Sequence, residues 1–334
     1  MQKNKKSNIR NGILIAIITV IVLFFALKDD FYEKVNYILS FNIWWLIGGI
    51  LLVVLYWLLK AEVIKLCGNQ IKKDYTFRKS LKLTLDTQFF NAITPFSLGG
   101  QPYQVYRLKK QGFNLEQGMN IIIQDCIVYQ IALILLGTVA IISNYFFGFF
   151  PDNHFLKKLV ILGYIINLSV IVILFIVAFN KKGNKILLEL AIKIGAKFKI
   201  IKDKEAFLEK SNKIIIDFHQ SAKALMKNKF HFIRIILLNL IALTLLYLVP
   251  YTLIMGLGLE MNPFIVIVST AYVMIMGSFV PLPGGSGGLE YGFVRFFGVY
   301  IVGAKLSSIM IVWRFITYYL GLIVGAISLS KKED

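Results

Sequence analysis

Apolar runs of bilayer-spanning character dominate this sequence, at residues 13–27, 43–59, 119–142, 159–179, 232–249 and 306–329. A hydrocarbon core of ~30 Å takes about 20 residues at 1.5 Å per residue, so these runs read as transmembrane helices. Two further apolar stretches, 81–96 and 264–282, each run into a Pro/Gly cluster that a shorter amphipathic piece follows. The expected fold class is therefore all-α. It is a polytopic membrane protein with six full transmembrane helices plus two broken or re-entrant hairpins, eight spans if the hairpins are counted.

Composition agrees. The chain is 57% hydrophobic and only 16% charged, where a soluble domain carries about 25% charge. That excludes a water-soluble enzyme of this size, and equally a disordered chain. The 37 Lys+Arg against 18 Asp+Glu give a net charge of +19. The basic segments lack the aromatic interleaving of a nucleic-acid binder, so no nucleic-acid partner is expected, and the charges report topology instead. Residues 60–116 hold ten Lys/Arg and 181–229 hold thirteen, against six in 28–42, 143–158 and 251–305 together. Positive-inside asymmetry then puts both termini in the cytoplasm, provided each interrupted stretch enters and leaves on one side. Run 13–27 follows Lys3, Lys5, Lys6 and Arg10 and meets no small-x-small cleavage site at Phe24-Phe25-Ala26. It reads as a retained signal anchor. Within 181–229, Ile186, Leu187, Leu190, Ile194 and Phe198 recur at helical spacing among lysines, as surface helices on an anionic leaflet do.

The sequence repeats itself. Thr94-Pro95-Phe96-Ser97-Leu98-Gly99-Gly100-Gln101-Pro102-Tyr103 overlays Leu282-Pro283-Gly284-Gly285-Ser286-Gly287-Gly288-Leu289-Glu290-Tyr291 at an offset of 188. Pro95/Pro283, Gly99/Gly287, Gly100/Gly288, Tyr103/Tyr291, Arg107/Arg295 and Gly137/Gly325 coincide, whereas Gly112/Gly298 need an offset of 186. One crossing, 159–179, separates the halves, so the second half is expected to be inverted. The chain divides as a single integral membrane domain, 1–334. Residues 1–42 are the anchor and external loop, 43–144 the first repeat, 145–230 a connecting helix with the basic amphipathic segment, and 231–330 the inverted second repeat. In transporter folds built this way, broken elements meet near the midplane and form the site. Backbone freed at Pro95, Pro283, Gly284 and Gly285, the expected hinges, must be buried in protein or line a wet cavity.

Few polar residues interrupt the spans, and charge in a bilayer costs ~2.5–3.5 kcal/mol on insertion scales, so such residues pair or line a polar path. Asp125 and Arg314 stand at nearly equivalent repeat positions and are expected to face one cavity, paired or flanking a ligand. Glycine-rich helix starts at Gly99, Gly100, Gly287 and Gly288 expose N–H groups suited to an anion. Arg107 and Arg295 add guanidinium forks for phosphate oxygens, and Tyr103, Tyr106, Tyr129 and Tyr291 add hydroxyls. Glu290 or Asp125 would meet a cationic group. The whole suits a lipid with a phosphate head, although the same glycines also serve helix packing, as Gly321 and Gly325 in G-x-x-x-G do. Gly284-Gly285-Ser286-Gly287-Gly288 matches G-x-S-x-G, yet His154, His219 and His231 all lie at membrane edges or in the basic segment, so no base serves a serine nucleophile. No nucleotide or metal motif occurs, and Cys67 and Cys126 have no metal or redox spacing. No catalytic residue, metal or cofactor is expected.

The residues Thr94-Pro95-x-x-x-Gly99-Gly100 with Lys109-Lys110-x-Gly112, and Pro281-x-Pro283-Gly284-Gly285-x-Gly287-x-x-Glu290 with Gly298, Ala304 and Arg314, carry a family resemblance. They resemble the membrane region of the bacterial lysylphosphatidylglycerol synthetases, the multiple peptide resistance factors, over about residues 10–330. The resemblance implies a lipid flippase for phosphatidylglycerol or its aminoacylated form in the bacterial plasma membrane, linked to resistance against cationic antimicrobial peptides. It implies functional roles for Glu290, Arg314, Asp125 and the two Gly pairs. The soluble aminoacyl-transferase domain of that family has no counterpart before the chain ends at Asp334, so a separate lipid-modifying transferase is an expected partner. The alternatives are a membrane component of a lysyl-tRNA-dependent phosphatidylglycerol lysyltransferase system, or a secondary transporter of another anion or a polyprenyl-phosphate substrate.

Overall fold

The computed structural model describes residues 31–151, 153–179, 204–278 and 280–331, together with 189 and 192. The anchor at 13–27 and most of 181–203 lie outside the described residues. Everything described is helix or connecting loop. The helices are α1 (Phe31–Leu39), α2 (Ile43–Asn69), α3 (Phe77–Ala92), α4 (Gly100–Lys110), α5 (Leu115–Phe147), α6 (His154–Phe179) and α7 (Lys204–Lys227). They continue with α8 (Lys229–Tyr247), α9 (Val249–Gly256), α10 (Pro263–Gly277), α11 (Gly288–Phe297), α12 (Gly303–Arg314) and α13 (Leu320–Ser330).

Local chemistry sets the ends. Asn42, Asn228 and Asn262 cap α2, α8 and α10, each side-chain oxygen accepting from an amide of the first turn, as N-caps do. Asn114 and Gln117 close a reciprocal capping box on α5, whose far end stops at Gly148 with φ +60°. Five helical segments are long and apolar enough to cross a membrane: Ile43–Asn69, Leu115–Phe147, His154–Ile176, Lys229–Gly256 and Gly303–Ser330. Pro263–Gly277 is apolar but shorter. The chain is a multi-pass membrane protein.

Two boundaries differ from the sequence reading in ways that matter. Helix α2 runs ten residues past 59, so Lys60 lies inside a span instead of opening the basic loop. The last span is interrupted: α12 ends at Arg314, Phe315–Tyr319 form one π-helical turn, and α13 resumes at Leu320. Such single π turns inside α-helices concentrate at functional sites.

The repeat extends from sequence to architecture. Shifted by 188, the bounds of α2, α3, α4 and α5 become 231–257, 265–280, 288–298 and 303–335, whereas α8–α9, α10, α11 and α12–α13 occupy 229–256, 263–277, 288–297 and 303–330. The halves exchange partners. Helix α3 packs on α13 of the other half, its counterpart α10 packs on α5, and α2 packs on α8 and α9. Equivalent glycines mark both crossings. A Cβ on Gly325 would lie 2.6 Å from the Phe89 amide nitrogen, and one on Gly137 would lie 3.1 Å from Ile275 Cδ1. Between lipid-bathed helices the gain is close van der Waals packing and not removal from water, which is why small residues sit there. The interrupted elements meet directly, for Pro95 and Pro283 form an antiparallel β-bridge.

Candidate functional site

A cavity of about 280 Å³ opens beside that bridge. The first half contributes Tyr56 and Trp57 of α2, Gln88 and Asn91 of α3, Phe96 and Ser97 of the loop, and Tyr129 of α5. The second contributes Tyr247, Thr270, Met274, Gly284, Gly285, Trp313, Arg314, Thr317 and Tyr318. Arg314 is the one formally charged side chain among the described residues of this lining. It is only 7% exposed.

The second broken element holds that guanidinium. Arg314 Nε lies 2.7 Å from Glu290 Oε1, and Nη2 donates to the Gly284 carbonyl at 3.1 Å and to Ser286 Oγ at 3.3 Å. The other carboxylate oxygen, Glu290 Oε2, accepts the Gly287 N–H at 2.6 Å. One face of the guanidinium lies over the Tyr318 ring, 4.7 Å from its centroid. Tyr318, in the π turn, donates its hydroxyl to the Ala92 carbonyl at 2.9 Å and so ties this wall to the first half. A cation fixed by a carboxylate, a carbonyl and a ring in an aromatic chamber is preorganised for an anion.

The loop backbone is left-handed in both halves. Phe96 and Ser97 have φ of +54° and +56°, and Gly284 and Gly285, their counterparts at 188, have +62° and +64°. Only glycine adopts this conformation without a Cβ clash, so the first half carries strain that the second avoids. Ser97→Gly is expected to raise stability by about 1 kcal/mol, the strain relieved exceeding glycine's backbone entropy. Thermal unfolding in detergent reads this.

Two further polar clusters lie among the helices of the first half and their partners. Lys60 of α2 donates to Asp125 Oδ1 of α5 at 2.5 Å and to Asn239 Oδ1 of α8 at 3.0 Å. Asp86 of α3, with its side chain 1% exposed, accepts from Tyr103 at 2.9 Å and Ser328 at 2.5 Å. Lys82 Nζ and Arg107 Nε stand 3.6 and 3.8 Å from the same carboxylate.

Of the residues singled out from sequence, Arg314, Gly284, Gly285 and Tyr129 line the cavity, and Glu290 reaches it through Arg314. Pro95 and Pro283 join the halves beside it. Asp125 and Arg314 do not pair, since each has its own partner. At the offset of 188 Asp125 falls on Trp313, and neighbouring helix residues point about 100° apart. Tyr103 and Arg107 turn to Asp86, whereas exposed Tyr291 and Arg295 stack on one another at 5.1 Å outside the cavity. The difference has a cause: Asp86 is replaced at its repeat position by Met274. Tyr106 carries the ammonium of Lys110 over its ring. The glycine N–H groups are not offered to a ligand in the way expected. Gly99 N–H bonds Thr94 Oγ1 at 2.8 Å and Gly287 N–H bonds Glu290. A Cβ at Gly100 or Gly288 would strike Asn91 or Val280. Lys60, Asp86, Asn239 and Tyr318 escaped the sequence reading, although Asp86 and Lys60 show the same mark as Asp125, a lone charge in or beside an apolar stretch. Among the described residues, no group of three or more His, Cys, Asp or Glu is placed to hold a metal.

Residues 12–325 match the family model described as lysylphosphatidylglycerol synthase TM region. The chain belongs to that family. Membership rests on nearly the whole length, both broken elements and both flanking spans included, and is consistent with a membrane lipid-related function. The chain is also 25% identical over 328 residues to a UPF0104 membrane protein of Archaeoglobus fulgidus, covering 96% of this chain and 95% of that one.

Proposed function

We propose that this protein moves a phosphate-headed lipid between leaflets, with phosphatidylglycerol or its aminoacylated form as substrate. Arg314 carries the reading. It is a buried cation, fixed on the broken element, facing a chamber that both halves enclose. Its Nε faces Glu290 and Nη2 bonds Gly284 and Ser286, which leaves Nη1 to donate to a phosphate oxygen, and Trp57, Trp313 and the tyrosines supply walls for a glycerol backbone. The antiparallel bridge and the exchanged packing support inverted halves, which alternate the side they open while the cavity stays between them. The membrane is the bacterial plasma membrane, with cytoplasmic termini, and a separate transferase supplies the aminoacylated lipid. Outward movement of a lipid whose anionic head has been lysylated lowers the negative surface potential that draws cationic peptides. Translocation driven by the potential is worth ~2.3 kcal/mol per charge per 100 mV.

The test is reconstitution of the chain in liposomes with fluorescent and aminoacylated phosphatidylglycerol. Head-group accessibility from outside is then followed in time. The expected outcome is movement well above empty liposomes, slowed at least about tenfold in Arg314→Ala and in Glu290→Gln, as loss of a charge-assisted contact implies. Equal rates in wild type, variants and empty liposomes end the reading. Counterflow of a soluble anion without lipid movement makes the chain a secondary transporter instead.

A further inference from the structure

Behind the cavity wall lies an ion pair that head-group capture by Arg314 does not use. Lys60 and Asp125 have side chains 12% exposed each. Lys60 sits one turn beyond Tyr56 on α2, and Asp125 sits one turn before Tyr129 on α5; both tyrosines line the cavity. The ammonium lies 5.2 Å from the centroid of the Tyr129 ring. That ring therefore separates Lys60 from the chamber, and a lysine stem is long and flexible enough to pass it. The third member, Asn239, is fully buried and gives its own N–H to the Ile235 carbonyl at 3.0 Å, which fixes its oxygen toward Lys60.

We propose that Lys60 and Asp125 form a proton-linked second anion site. A phosphate entering the chamber draws Lys60 from Asp125, and Asp125 takes up a proton from the buffered bulk solution. This rests on the reading of the cavity as a head-group site. The charge balance closes: Lys60 stays an ammonium and neutralises the phosphate, and the carboxylate becomes a neutral acid. No unpaired charge is left in a low-dielectric site, where it would be costly. The groups facing Asp125 are Lys60, Tyr56 and Cys67 from α2, Cys126 and Tyr129 on its own helix, and Asn239 from α8. Among the described residues, Lys60 is the one basic side chain paired with Asp125. Binding then consumes a proton, and linkage makes the dependence reciprocal: lowering pH tightens head-group binding.

The test uses the purified full chain in detergent with dihexanoyl phosphatidylglycerol, titrated calorimetrically in two buffers of different ionisation enthalpy, with inorganic phosphate in a parallel arm. The expected result is uptake of about one proton per lipid near neutral pH, with affinity rising up to about tenfold per pH unit lowered, the limit for one linked proton. Asp125→Asn abolishes both. Because Asp125→Asn strands Lys60 and is open to misfolding, Lys60→Met/Asp125→Asn removes the whole pair. It is expected to bind through Arg314 with affinity at least about tenfold weaker and independent of pH. Binding with equal heats in both buffers, or unchanged pH dependence in the double variant, makes the pair structural and overturns the proposal while the head-group reading stands. No lipid binding by wild type defeats that reading itself. Proton uptake with inorganic phosphate but not lipid upholds the linkage and reassigns the site to a soluble anion.

Discussion

Glu290→Ala is expected to cost about 3–5 kcal/mol of stability, the range for breaking a buried ion pair from one side. The carboxylate has two functions, which two variants separate. Glu290→Gln keeps an oxygen for the Gly287 N–H but removes the charge beside Arg314, whereas Glu290→Ala removes both. An N-terminal cap is worth about 1 kcal/mol. The two variants should therefore differ by about that amount, and the larger remainder should be common to both. Arg314 retains the Gly284 carbonyl and Ser286 Oγ in either case, but those are dipoles against a full buried charge. The double variant Glu290→Met/Arg314→Met should be less destabilised than Glu290→Ala, because it leaves no charge behind. Denaturation in one detergent across the four proteins is the measurement. A double variant no more stable than Glu290→Ala would mean that the stranded Arg314 charge is not what the single variant loses.

The same cluster shows what sequence alone can carry. The two Pro/Gly elements were legible because backbone freed by proline and glycine has no place in lipid, and the repeat was legible because six residue identities align at one offset. The conformational match was not. Phe96-Ser97 and Gly284-Gly285 share no side-chain character, yet their backbones coincide, so comparing letters passes over the most faithful part of the repeat. The pairing of charges was hidden for another reason. Asp125 and Arg314 look equivalent within a residue, but a shift of one on a helix turns a side chain to another neighbour. Lys60 was lost to a span boundary set at 59, since a hydropathy run ends at its first lysine while the helix continues. The glycine N–H groups looked free because partners such as Thr94 Oγ1 depend on a loop geometry that spacing does not give.

Asp86 was missed on sequence and carries the second large expectation. Asp86→Ala should destabilise the protein by about 3–5 kcal/mol, and the loss should appear first as release of the first broken element from α13. The carboxylate joins three helices: α3 carries it, Tyr103 and Arg107 approach from α4, and Ser328 donates from α13. Removing it takes away the anion that Lys82 and Arg107 share and leaves two cations in one buried site. Lys82 has a second anchorage, donating to the Ser328 carbonyl at 2.7 Å near the end of α13, where a cation also meets the negative pole of the helix. Arg107→Met in the Asp86→Ala background should recover part of the loss, since it removes one of the two cations. Ser328→Ala, which deletes one hydrogen bond and no charge, should cost about 1–3 kcal/mol. Limited proteolysis at the loop around Phe96 together with thermal unfolding distinguishes these outcomes. Protection at that loop unchanged in Asp86→Ala would show that Gly325 against Phe89, and not the carboxylate, holds the first broken element to the opposite half.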